Sequence, residues 1–374
     1  MKALILNSGM GSRMGVLTCE HPKCMTEISS KETIISRQLR LLAEYNINDV
    51  VITTGYFDEV LINYCNSLEM PLNITFVKNP LYDRTNYIYS IYCAKDYLDD
   101  DIILMHGDLV FEESVMEAVV NSEKSCMTVS STLPLPEKDF KAVIEGDRVK
   151  KVGIEFFDNA FAAQAFYKIK KEDWLVWLNK ISEFCEKDVR SCYAENAFNE
   201  VSDVCKIHTL DVKDALCNEI DNAQDLEMVV EMLKKVESRI VYMGFSADII
   251  HSGHIEMIKK AKKLGKLIVG VLTDDAVASY KKQPFVPYSE RRELINNIKG
   301  VYDVVEQKTL SYAEILRTLK PDFVVHGDDW KNGIQKDIRD EVLSVLSEYG
   351  GTLMEYPYSE DEKYKIIESL SKQN

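Results

Sequence analysis

The run "ILNSGMGSRMG" (residues 5–15) decides how the chain is read. An apolar strand, "KALILN" (2–7), stops at a glycine loop, and "ETIISRQLRLLAEY" (32–45) then carries apolar residues at helical spacing. Strand, glycine loop and helix open an α/β unit of the kind that handles phosphates. A Walker loop needs GxxxxGK followed by Ser or Thr, and no lysine stands at that spacing; the dinucleotide fingerprint needs a third glycine where Met14 stands. Two readings stay open. One is a loop whose bare amides approach phosphates, with Arg13 inside it and Lys23 beyond it to balance charge; the other is an ordinary strand-to-helix turn.

Working outward, "DVVITTGY" (49–56), "NITFVKN" (73–79) and "DIILMHGD" (101–108) read as further strands, separated by helix-forming stretches such as "FDEVLINYCNSL" (57–68). This alternation predicts a mainly parallel sheet wrapped by helices, with ligands at the carboxyl ends of the strands. An amphipathic helix, "DLEMVVEMLKKVES" (225–238), closes the region, and a new strand, turn, helix, strand series follows it. The expected architecture is therefore α/β with two domains, 1–238 and 239–374. A length of 374 residues is enough for two proper cores. The 45 basic against 61 acidic residues give a net charge of -16, which argues against binding nucleic acid or an anionic membrane. An anionic substrate would then need local lysines or a metal. Nine cysteines without a CxxC pair, and no long apolar signal core, predict a reduced, cytoplasmic protein. No apolar run reaches the roughly 18–20 residues that cross a bilayer, so no membrane insertion is expected.

"LILNSGMGSRM" followed by "HPKCM" (21–25) resembles the GxGxR…PK signature of sugar-nucleotide and choline-phosphate nucleotidyltransferases, over about residues 1–235. "NPLYDRTNYIYS" (79–90), "HGDLVF" (106–111), "YAENAFNEV" (193–201) and "NEIDNAQDL" (218–226) fall in the order shown by bacterial phosphocholine cytidylyltransferases. The resemblance implies a larger, GT-A-like nucleotidyltransferase domain. It also implies that Leu6, Asn7, Gly9, Gly11, Ser12 and Arg13 hold the nucleotide, that Lys23 contacts phosphates at the reacting end, and that Asp108 and Asp221 hold Mg²⁺. Arg13, Lys23, Asp108 and Asp221 are the implied catalytic set. The chemistry asks for the same parts. Attack of a phosphate or phosphonate oxygen on the α-phosphorus of a nucleoside triphosphate needs alignment and charge neutralisation, not a protein nucleophile. By itself, an aspartate after a strand reads equally as a turn former.

Two other motifs bear on the site. "CEHPKC" (19–24) lacks the four ligands of a structural zinc site, and Lys23 within it repels a cation. "NYIYSIY" (86–92) offers Tyr87, Tyr89 and Tyr92 as an alkylammonium cage, but its spacing fits a strand, a helix face or plain core packing. The resemblance points instead to Asn86, Tyr89 and Ser90, with Glu195 and Asn196 near the acceptor's head group.

In the second region His251 and His254 flank a small Ser-Gly pair at the start of a helix, where imidazoles and helix-terminal amides together can bind phosphate oxygens. An HxxH pair also fits half of a zinc site or a solvated turn. "GFSADIIHSGH" (244–254), "VGVLTDD" (269–275), "YSERR" (288–292) and "HGDDW" (326–330) resemble the HxGH cytidylyltransferases, in particular the domain attached to phosphoenolpyruvate mutases in phosphonate biosynthesis. That likeness implies a smaller Rossmann-like domain in which His251, His254, Lys262 and Arg291 address CTP phosphates while Asp328 and Trp330 frame the nucleotide pocket. The family's Ser/Thr-rich segment near "GISST" is replaced by "YPYSEDEKYKIIESL" (356–370), whose Glu360, Asp361 and Glu362 repel a triphosphate. The second region is therefore expected to be an incomplete catalyst. Weak binding, regulation, dimerisation or a changed substrate stay open for it.

The two resemblances together imply a CTP- and Mg²⁺-dependent cytidylyltransferase whose first domain carries the reaction. The expected acceptor is 2-aminoethylphosphonate or 2-hydroxyethylphosphonate, with phosphocholine as the alternative and a nucleotide-binding regulatory scaffold as a further one. The product would be a CMP-linked head group for a lipid or glycan. Whether the chain forms a homo-oligomer is left open.

Overall fold

The computed structural model describes residues 1–9, 11–246, 248–331 and 336–357. The chain divides into two compact units, Met1–Leu233 and a second that begins at Lys234.

The strands of the first unit are β1 (Lys2–Leu6), β2 (Asp49–Thr54), β3 (Asn73–Lys78), β4 (Ile102–His106), β5 (Leu109–Phe111), β6 (Cys126–Ser130), β7 (Lys141–Glu145), β8 (Arg148–Gly153), β9 (Ala160–Ile169), β10 (His208–Asp211) and β11 (Cys217–Glu219). Its helices are α1 (Ile34–Glu44), α2 (Asp58–Ser67), α3 (Tyr87–Ala94), α4 (Glu113–Asn121), α5 (Lys171–Glu186) and α6 (Ala194–Val201); α7 (Ala223–Ser238) spans the division. Nine strands form one sheet in the order β3-β2-β1-β4-β9-β6-β10-β8-β7, while β5 and β11 pair separately. The runs in β1, β2 and β4 are buried almost throughout, as parallel strands covered on both faces require. β1 lies parallel between β2 and β4.

The expectation of a mainly parallel sheet holds for β3-β2-β1-β4, and beyond β4 only for the pair β6–β10. In the other half, β9 runs antiparallel to both β4 and β6, and β7–β8 is a hairpin turning at Gly146 (φ 65°). For the hairpin the physical reason is connection length: the tight turn at Gly146 leaves no room for the crossover helix that parallel neighbours need. Trp174 and Trp177 of α5, fully buried, pack with Phe198 of α6 to close the core under β9.

The chain leaves β1 for β2 on one side of it, and β4 lies on the other. The carboxyl ends of β1 and β4 therefore flank a topological switch point, where an open α/β sheet forms its crevice. The glycine loop follows β1, and Gly107-Asp108 follows β4.

The second unit has a wholly parallel five-stranded sheet, ordered β14-β13-β12-β15-β16, from β12 (Ile240–Phe245), β13 (Lys266–Leu272), β14 (Val301–Gln307), β15 (Phe323–Gly327) and β16 (Thr352–Tyr356). Its helices are α8 (Ser252–Lys262), α9 (Asp274–Ala278), α10 (Tyr288–Asn296), α11 (Ala313–Leu319) and α12 (Lys336–Ser347). Here the switch point lies between β12 and β15, whose ends carry "FSADIIHSGH" and "HGDDW". Among the described residues no helix is long and apolar enough to cross a membrane.

Candidate active site

Three charged side chains meet at the switch point of the first unit. Lys23 opens a short 3-10 turn after Pro22, and the next residue, Cys24, is buried in the core, which leaves Lys23 on the cleft side. Its Nζ donates to Asp108 Oδ2 at 2.5 Å and to Asp221 Oδ1 at 2.6 Å. Asp108 and Asp221 are brought together by a two-stranded ribbon: β11 pairs antiparallel with β5, and the Ile220 amide donates to the Asp108 carbonyl at 3.0 Å. Burial disfavours the ammonium of Lys23, but pairing with Asp108 and Asp221 outweighs it and raises its pKa.

The glycine loop borders the same cleft. Gly11 has φ +65°, and a Cβ there would lie 3.3 Å from the Cβ of Lys23, so a glycine lets the loop and the lysine stem run side by side. Leu6, Asn7, Gly9, Gly11, Lys23, Gly107, Asp108 and Asp221 line a pocket of about 290 Å³. The backbone of Ser12 and Arg13 starts the 3-10 turn Ser12–Thr18, and their side chains lie outside the described set. Asp108 Oδ1 is buried with no hydrogen-bond partner. That orphaned anionic oxygen, beside a second carboxylate, suits a hard divalent cation that takes oxygen ligands.

A second pocket of about 350 Å³ adjoins the first and shares Leu6, Gly9, Asp108 and Asp221 with it. Its walls include Tyr82, Asn86, Tyr87, His106, Asp139, Phe140, Tyr193 and Glu219. The Tyr193 ring lies 5.8 Å from Tyr87 and 5.1 Å edge-on to Phe140. His106 Nδ1 meets Glu219 Oε1 at 2.8 Å; burial works against the imidazolium, but the Glu219 charge prevails and raises its pKa. One donor atom each of His106, Asp108 and Glu219 lies within 4.8 Å of the others.

The structure brings together Leu6, Asn7, Gly9, Gly11, Lys23, Asp108, Asp221 and Asn86, and sorts the remaining expected residues elsewhere. "NYIYSIY" is helical, which settles its alternatives, and only Tyr87 of its tyrosines faces the pocket. Tyr89 and Tyr92 stack on each other at 5.9 Å, with Arg190 4.9 Å over Tyr89 and Lys95 4.2 Å over Tyr92, so the three tyrosines form no cage. Ser90 is buried against Ser8 (2.5 Å) and Asn79 (3.0 Å), behind the pocket wall. Glu195 also sits behind the wall, 1% exposed, accepting from the hydroxyls of Tyr87 and of Tyr167, the latter at 2.9 Å. Asn196 caps α6, its Oδ1 accepting from the Tyr193 amide at 3.0 Å. Among the pocket residues that escaped the sequence reading are His106, Glu219, Tyr82, Asp139, Phe140 and Tyr193. For the first two a signal existed, because each stands two residues before a selected aspartate and alternate strand residues share a face. Nothing local marks Phe140 or Tyr193.

In the second unit His251 caps α8, its Nδ1 accepting from the Gly253 amide at 3.1 Å, and its ring lies 3.9 Å from that of His254. Burial, with the charges of His251 and Lys281, lowers the pKa of His254 to about 4, so it is a neutral acceptor near pH 7. Arg291 is buried, tied to Asp274 Oδ1 at 2.6 Å and to the Val286 carbonyl at 2.9 Å. Lys262 ends α8, about 16 Å along the helix from His251 at 1.5 Å per residue, and packs beside Gly300. Trp330, 1% exposed, stacks on His326 at 3.7 Å, donates to Glu355 at 2.8 Å and, with His326, Phe245 and Ser246, lines a cavity at the end of β12; Asp328 begins the short turn that carries it. The cavity beside Trp330 measures about 50 Å³. Glu360, Asp361 and Glu362 lie outside the described residues.

Comparison with known proteins matches residues 3–132 to the MobA-like NTP transferase domain and residues 241–350 to the cytidylyltransferase-like family. A CTP:phosphoglutamine cytidylyltransferase of Campylobacter jejuni is 33% identical over 135 residues, 34% of this chain and 52% of that protein. A CMP-5'-(3-aminopropyl)phosphonate synthase of Streptomyces rubellomurinus is 30% identical over 168 residues, 44% of this chain and 26% of that protein. The chain thus spans about half of the first curated relative's length and about a quarter of the second's. Among solved structures, the inositol-1-phosphate CTP transferase from T. maritima shares the fold, with a TM-score of 0.53 and 21% identity over 63% of this chain and 95% of that one.

Proposed function

We propose that this chain, a MobA-like NTP transferase domain followed by a cytidylyltransferase-like domain, is a CTP-dependent cytidylyltransferase acting on a small phosphonate. The observation that carries the proposal is the meeting of Lys23, Asp108 and Asp221 where two pockets join. One pocket is bordered by the glycine loop and the other by aromatic and acidic walls. An acceptor oxygen attacks the α-phosphorus of CTP; the new P–O bond forms as the bond to the β-phosphate bridging oxygen breaks, and pyrophosphate carries away the bonding electrons. The Gly9 and Gly11 region receives the phosphates, and Lys23 neutralises charge at the reacting end. Asp108 and Asp221 would hold Mg²⁺, which supplies charge neutralisation at the phosphoryl oxygens when bound.

The acceptor pocket supports 2-aminoethylphosphonate over the uncharged-head 2-hydroxyethylphosphonate. Tyr87, Tyr193 and Phe140 offer ring faces, and Asp139 and Glu219 offer carboxylates, a pairing suited to an ammonium head. The same walls favour phosphocholine as a second reading. A CMP-linked head group for lipid or glycan would be the product's use.

Pyrophosphate release on incubation with CTP, Mg²⁺ and, in separate reactions, 2-aminoethylphosphonate, 2-hydroxyethylphosphonate and phosphocholine tests this. The amino compound is expected to turn over with the highest kcat/KM; preference for phosphocholine selects the second reading. No pyrophosphate with any acceptor in the panel overturns both.

A further inference from the structure

The geometry assigns Lys23 a role beyond contacting phosphates: we propose that in the nucleotide-free chain it stands in for the divalent cation on Asp108 and Asp221, and so makes metal binding conditional on the nucleotide. This rests on the reading of those carboxylates as the metal ligands. The Nζ of Lys23 lies 2.5 Å and 2.6 Å from one oxygen of each aspartate, with all three side chains at most 22% exposed. A magnesium-type ion on the lysine-bound oxygen of each aspartate sits about 2.0–2.1 Å from each, in the space the ammonium occupies; one that takes the orphaned Asp108 Oδ1 still faces the ammonium 2.5 Å from Oδ2 of the same carboxylate. The two cations therefore exclude one another by volume and by charge.

The exchange has a route. The Lys23 stem runs against the glycine loop, where a Cβ on Gly11 would come within 3.3 Å of the Cβ of Lys23. Rotation about the side-chain bonds alone carries Nζ from the carboxylates toward phosphates seated in that loop. Nucleotide phosphates draw the ammonium away and bare the aspartates; a metal on the aspartates frees the ammonium for phosphates. Coupling of this kind is reciprocal by linkage. Its consequence is that the empty site neither leaves adjacent carboxylates uncompensated nor retains a metal.

The test needs neither CTP nor an acceptor. Mn²⁺ is titrated into the full chain without nucleotide, and free Mn²⁺ is followed by electron paramagnetic resonance. Lys23→Met is expected to bind Mn²⁺ about 10-fold tighter than the wild type. Lys23→Arg, which keeps the charge, stays near wild type, and adding Asp108→Asn to Lys23→Met removes the gain. Thermal denaturation covers a poorly folded variant: millimolar Mn²⁺ raises the midpoint of Lys23→Met and leaves that of the wild type unchanged. Equal Mn²⁺ affinity in wild type and Lys23→Met, or a gain that survives Asp108→Asn, overturns the inference. Its failure is distinct from that of the proposed function: turnover of the panel without the Mn²⁺ gain sinks only this inference, and the gain without turnover sinks only the function.

Discussion

A side chain at Gly55 has nowhere to go, because a Cβ there would lie 2.3 Å from the backbone carbonyl of Ser8, at the root of the glycine loop. Gly55→Ala must displace that loop. The expected cost is about 1–3 kcal/mol of stability, read by urea denaturation, together with weaker CTP binding by calorimetry. Retention of both would show that the loop yields freely. His254 makes a pH prediction with a definite sign. Its folded pKa of about 4 lies below the usual 6.5, so the unfolded chain binds more protons between those values. Its contribution to stability is full above pH 6.5 and is lost as pH falls from there toward 4. The urea midpoint of the second unit should fall across that window in the wild type and fall less in His254→Gln. Lys23, Asp108 and Asp221 were legible as single charged residues. The shielding of Glu195, Arg291 and Trp330 was not, because burial depends on neighbours that arrive from elsewhere in the chain.

At the scale of elements, α1 steadies the turn that carries Asp108. Gln38, 1% exposed, donates from Nε2 to the carbonyls of His106 (2.9 Å) and Leu109 (2.8 Å), which bracket Gly107-Asp108. Gln38→Leu leaves both carbonyls without that donor and should cost about 1–3 kcal/mol by chemical denaturation. Because the turn carries Asp108, turnover should fall about tenfold or more, since small misplacements cost heavily at a reacting centre. Unchanged kcat with lowered stability would confine Gln38 to a structural part. The helix and strand runs of the first hundred residues were readable because each buries a periodic apolar face. The β6–β10 half of the sheet was not, since its order and direction rest on pairings between distant segments, such as β9 with both β4 and β6. α3 was ambiguous for a related reason: its run has apolar or aromatic residues at nearly every position and so fits both periods.

For the whole molecule, the pockets formed by the described residues differ in size. The first unit holds adjoining pockets of about 290 and 350 Å³, whereas the cavity by Trp330 in the second is about 50 Å³, well under the few hundred of a small-molecule site. If the first unit carries the reaction, Asp108→Ala should lower kcat by about 10²–10³-fold while His251→Ala leaves pyrophosphate release within twofold of wild type. The reverse pattern moves the chemistry to the second unit. By itself the sequence determined that two α/β units follow one another, that a glycine loop closes the first strand of the first unit, and which charged residues stand at strand ends, because strand period, glycine and charge act over a few neighbouring residues. Only the tertiary structure decided that Lys23 meets Asp108 across 85 residues and Asp221 across 198. It also decided that Phe140 and Tyr193 wall the adjoining pocket, and that Arg291 is buried against Asp274. The reason is that a side chain's direction and company are set by strand pairing and core packing between distant segments, such as the return of β11 to β5, and nothing local in the chain encodes that meeting.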